Sequence, residues 1–139
     1  MAWYGYRTLV NHRPDLSRLD CLSLLRRHAT HVGRLAMLDE NERVEIYPMY
    51  YRLVGEDVVL AVQAPLVDGL TRRSVCFEIE DMEPSTLRGW SVVVHGIPER
   101  SEDPYPEELP DVLSLRRWIP PDSVYLRLPV EEVIGRRLG

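Results

Sequence analysis

The chain has 139 residues and a mass of 16.2 kDa, with 45% apolar and 28% charged residues, the composition of one ordinary globular domain. Its 22 acidic residues outnumber 17 basic ones for a net charge of -5, which excludes a sequence-independent grip on nucleic acid, because that needs surplus positive charge along a phosphate track. Every basic residue is arginine, so a lysine Schiff base and a P-loop lysine are excluded, and any bound anion meets guanidinium, backbone NH or hydroxyl.

Residues 1–16 carry aromatic and arginine side chains without a period and read as an N-terminal arm, with one domain over 17–139. Ser17-x-x-Asp20 has the form of a capping box, and a helix is predicted from there to about His28. Within it Cys21, Leu24, Leu25 and His28 share the stripe that faces a core. The period then shortens. Val32 to Leu38 reads as a strand, Asp39-Glu40-Asn41-Glu42 as a turn, and Val44 to Val54 as a second strand, so the two form a hairpin. After Gly55-Glu56-Asp57, the apolar run Val58 to Val62 predicts a third strand buried on both faces. Pro65 to Arg73 reads as a loop with a short helical turn. Val75 to Glu80 and Trp90 to His95 alternate as further strands.

Six of the eleven prolines fall between Pro98 and Pro121, which predicts a surface excursion rather than a ladder. Val124 to Leu128 is the last predicted strand, ahead of the terminal Val133-Ile134-Gly135-Arg136-Arg137-Leu138-Gly139. The class is mainly β with few helices: about six antiparallel strands in a small closed barrel, which leaves no edge.

Cys21 and Cys76 are too few and too far apart for a disulfide framework or a zinc knuckle, and no metal site is assigned to His12, His28 or His31. No signal-peptide core and no apolar run near the roughly 20 residues of a membrane span occurs, so a soluble, cytoplasmic protein without membrane or nucleic-acid partners is expected. Cys76 reads as a packed thiol without an obvious base, and His95 as a hydrogen-bonded structural histidine or a proton carrier. No residue is assigned a catalytic role.

The helix ending Leu24-Leu25, then Val32-Gly33-Arg34-Leu35-Ala36, Pro48-Met49-Tyr50-Tyr51, Phe77-Glu78-Ile79-Glu80-Asp81, Gly89-Trp90-Ser91-Val92 and Gly135-Arg136-Arg137 resemble, in order and spacing, the short bacterial members of the pyridoxamine 5'-phosphate oxidase-like family. The resemblance implies a split β-barrel, usually a homodimer, with FMN or a deazaflavin in a groove between subunits, acting as an oxidoreductase on a small organic molecule. A cofactor-free member that binds or rearranges an apolar molecule in the same groove is the alternative. Many relatives carry a small polar residue where Tyr50 stands and a Gly-x-Lys element after the third strand. Here that segment reads Gln63-Ala64-Pro65-Leu66-Val67-Asp68-Gly69, without lysine and with an acid.

The candidate cofactor contacts are Arg34, Tyr50, Gln63, Arg72, Arg73, Trp90 and Trp118. Arg34 meets either a phosphate or a salt-bridge partner, and Arg72 with Arg73 either replaces the missing lysine or lies in a solvated turn. The Arg136-Arg137 doublet is either a ligand contact or a surface pair. Trp90 packs against a flat ring or fills the core, and Trp118 needs cover from a cofactor or a second subunit. Tyr50 and Tyr51 point to opposite sides of one strand, with Tyr50 the site candidate.

Overall fold

The computed structural model describes residues 16–28, 32–101 and 123–139. The N-terminal arm up to residue 15, His31, and the Pro-rich segment with Trp118 lie outside the described residues.

Helix α1 (Arg18–Arg27) begins where Ser17 Oγ accepts the backbone NH of Asp20 at 3.1 Å, and Asp20 places a carboxylate in the first turn. Cys21, Leu22 and Leu25 are buried and Leu24 is partly so, which adds Leu22 to the predicted stripe. Eight strands follow: β1 (Val32–Leu38), β2 (Val44–Val54), β3 (Asp57–Gln63), β4 (Val75–Glu83), β5 (Arg88–Gly96), β6 (Glu99–Arg100), β7 (Ser123–Pro129) and β8 (Glu132–Leu138). A short helix, α2 (Ala64–Leu70), joins β3 to β4 with proline in its first turn, where a missing NH costs nothing. None of the described helices is long and apolar enough to cross a membrane.

All pairings are antiparallel, in the order β6-β7-β3-β2-β1-β4-β5-β8. The eleven-residue β2 carries the curl, because Val44 to Tyr50 pair with β1 while Tyr51 to Val54 pair with β3. The result is a split-barrel fold of eight strands, not about six. The two strands missed are β6, inside the stretch read as an excursion, and β8, read as a tail. The expected closed ring is not the pattern either. Among the described residues the hydrogen-bonded order runs between two ends, β6 and β8.

Leu35, Tyr51, Leu60, Phe77, Val92, Leu126 and their neighbours on alternate positions fill one continuous core on the inner side of the sheet, closed by α1 and by Val67 and Leu70 of α2. Gly135 permits the helix to seat: a Cβ there would lie 2.5 Å from Cys21 Sγ and 2.7 Å from Leu16 Cβ. Arg18 donates to the Val130 carbonyl and pairs with Glu56 at 3.1 Å, tying the start of α1 to the β2–β3 and β7–β8 turns.

Candidate functional site

Alternation along β1 and β2 sends Leu35 and Tyr51 into the core and a second set of side chains to the outer face. The register sets that second set in facing pairs: Val32 with Tyr50, Arg34 with Pro48, Ala36 with Ile46, and Leu38 with Val44. Val32, Leu38, Val44, Ile46 and Tyr50 are between 40% and 65% exposed. Single exposed apolar residues are commonplace, but a contiguous two-strand strip needs a cover.

Arg34 stands in the middle of this strip. Its Nη1 lies 3.5 Å from Glu78 Oε2 and 3.6 Å from Glu80 Oε1, with 52% of the side chain exposed. Such exposed pairs are worth about 1 kcal/mol or less each, so the guanidinium remains available to a more highly charged anion. Burial and then the neighbouring Glu80 carboxylate push the Glu78 carboxyl above its ordinary range, while Arg34 and Ser91 hold it back.

The tyrosine doublet divides as its period demands. Tyr51 is fully buried, donates its hydroxyl to the Leu25 carbonyl at 2.7 Å and meets Phe77 edge-on at 5.2 Å, whereas Tyr50 is on the outer face. Gln63, at the end of β3, is exposed on the same outer side, opposite Ser123 of β7. Ser123 Oγ is buried and has no hydrogen-bond partner among the described residues.

Arg72 and Arg73 do not join this group. Arg73 donates to the Leu38 carbonyl at 2.7 Å, at the far end of β1, four residues or roughly 13 Å along the strand from Arg34. Arg72 is exposed beside it. Trp90 lies on the inner side, where its ring centroid is 4.7 Å from that of His28, and it lines a hollow of about 300 Å³ with Leu16, Asp20, Leu24, Arg27, Gly89 and Arg137. The sheet therefore stands between Trp90 and Tyr50. Of the terminal doublet, Arg136 faces Ser91 on the outer side and Arg137 faces Trp90 on the inner.

Two features escaped the sequence reading. Arg52 is only 9% exposed in β2 and donates to the Tyr51 carbonyl at 2.9 Å; its signal was a charge inside an otherwise apolar run. Cys76, read as lacking a base, has one: β4 and β5 pair it directly with His95, and Sγ lies 3.1 Å from Nδ1. Among the described residues no three His, Cys, Asp or Glu side chains group as metal ligands.

A family model described as pyridoxamine 5'-phosphate oxidase matches residues 17–137. Among solved structures the chain is similar to the FAD-binding protein of Mycobacterium smegmatis, at 25% identity over 88% of this chain and 95% of that one, with a TM-score of 0.66. It is similar at 26% identity to a FAD-binding protein of Mesorhizobium loti, over 89% and 95% of the two chains, with a TM-score of 0.69. An FAD- and heme-binding protein of Mycobacterium smegmatis shares the fold at 16% identity, over 88% and 71%, with a TM-score of 0.67. A comparison with curated proteins finds no match.

Proposed function

The chain belongs to the pyridoxamine 5'-phosphate oxidase family, and from that premise we propose that it is a homodimeric flavin-binding oxidoreductase acting on a small organic molecule. The observation that carries the reading is the exposed outer strip of Val32, Ile46, Pro48 and Tyr50 around one guanidinium, Arg34. An apolar strip flanked by a cation matches a flat ring joined to a phosphate, and the buried, unpartnered Ser123 Oγ beside Gln63 fits the polar edge of such a ring. Two solved relatives at about a quarter identity bind FAD, which supports a flavin nucleotide in general.

In this reading Tyr50, Val32 and Pro48 take the ring, Arg34 the phosphate, and Gln63 and Ser123 the polar ring edge. A bound flavin supplies hydride or electron transfer. The chain's own part is to bind and orient it, and to exclude water with a second copy laid over the strip. Few acid or base residues are then needed on the strip, where Arg34 stands between the Glu78 and Glu80 carboxylates.

The test is the absorbance spectrum of freshly purified protein, followed by titration with FMN, FAD and a deazaflavin. One flavin per chain supports the reading. Arg34→Ala is expected to weaken binding more than the Arg72→Ala/Arg73→Ala pair does, because the latter two stand at the Leu38 end. The alternative of a cofactor-free groove draws on Arg34's existing pairs and on the exposed Asp68 after β3. A colourless protein that no cofactor reconstitutes would favour it.

A further inference from the structure

A second chemical feature lies on the outer face, at the end of β1 away from Tyr50. Cys76 and His95 are direct cross-strand partners, so their side chains leave the sheet on the same side, with Sγ and Nδ1 3.1 Å apart. They line a recess of about 230 Å³ whose other walls are Ala36, Met37, Leu38, Val44, Ser74 and Val75. All of these except Ser74 are apolar. We propose that Cys76 and His95 form a nucleophile and base pair that adds the thiol to small, neutral α,β-unsaturated carbonyl compounds held in this recess. This activity is separate from flavin binding: the recess shares Leu38 and Val44 with the far end of the outer strip but uses none of Val32, Arg34, Pro48, Tyr50, Gln63 and Ser123.

The chemistry balances without an outside reagent. His95 Nδ1 takes the thiol proton as Sγ bonds to the β-carbon; the carbon–carbon π pair moves to the carbonyl as an enolate. The imidazolium then returns the proton to the α-carbon, leaving a thioether. Burial raises the Cys76 thiol, so a free thiolate is scarce and the neighbouring base sets the rate. The apolar walls decide the substrate class, since shedding hydration on entry costs a charged electrophile far more than a neutral one. The groups around His95 are few. β4 brings Cys76 and, two residues along on the same face, Glu78; β8 sets Glu132 opposite; Arg73 is held at the Leu38 carbonyl on the rim.

N-ethylmaleimide is the probe, applied to the full-length protein with labelling read by peptide mass spectrometry. Cys21, buried on the core-facing side of α1, serves as the internal marker of an intact fold. Cys76 is expected to label at neutral pH while Cys21 does not. In His95→Gln the rate at neutral pH is expected to fall roughly 10²-fold, with Cys21 still protected. Equal labelling rates in the two proteins, or a Cys76 as inert as Cys21, would overturn the proposal. A second comparison needs no variant. Relative to free cysteine, iodoacetamide is expected to outpace iodoacetate at Cys76 by about tenfold, and no preference would refute the apolar recess as the selector.

Discussion

At the residue scale, two adjacent tyrosines show what alternation delivers. One side chain in β2 must point into the core and the next must point out, and it is Tyr51 that is buried, although Val44, Ile46 and Pro48 on Tyr50's side are just as apolar. Its hydroxyl pays for burial by donating to the Leu25 carbonyl, so Tyr51→Phe removes that hydrogen bond and is expected to cost about 1–2 kcal/mol in urea unfolding. Glu78 yields a pH prediction. Its carboxyl is raised in the folded protein above its ordinary 4.5, so the native state holds the proton longer than the unfolded chain. Stability from this group is therefore full at low pH and is lost as pH rises through the folded value, and Glu78→Gln is expected to flatten the urea midpoint between about pH 4 and pH 7. The Cys76 to His95 contact was not legible, although both residues were singled out. They are 19 positions apart, and only the β4–β5 register sets them face to face.

At the element scale, the capped helix, the first hairpin and the third strand carry strong local signals, and each stands where its pattern puts it. The strand β8 was lost because its middle holds Gly135 and its end Arg136-Arg137, a composition that reads as a tail. Its glycine serves packing: the helix above comes too close for any side chain. The same device acts at Gly33 in β1, where a Cβ would lie 2.1 Å from the ring of Phe77, itself fully buried. Gly33→Ala is thus expected to destabilise the protein by about 1–3 kcal/mol, measured by the shift in thermal or urea midpoint; an unchanged midpoint would mean the ring can move. The two-part pairing of β2 was also invisible, since a single β-rich run gives no sign of where one partner strand hands over to another.

At the scale of the whole molecule, the sheet has an inner side filled by its own side chains and an outer side left partly apolar, and six of the seven candidate residues are placed on it, Trp118 lying outside the described residues. Arg34, Tyr50 and Gln63 share the outer side, Trp90 lies within, and Arg72 and Arg73 stand at one end. Composition and period could name these residues but not sort them, because sorting needs the curl of the sheet. If a second copy covers the strip, Ile46→Glu, which introduces a charge where the monomer tolerates exposure, is expected to halve the mass seen by sedimentation without unfolding the chain. The most direct test of the outer face as the cofactor face is an equilibrium flavin titration of wild type, Tyr50→Ala and Trp90→Ala. The expected result is binding by the wild type that weakens at least about tenfold in Tyr50→Ala, the loss of roughly 1.4 kcal/mol or more of ring contact. Retention of affinity in Tyr50→Ala with its loss in Trp90→Ala, or no flavin binding by the wild type, would contradict it.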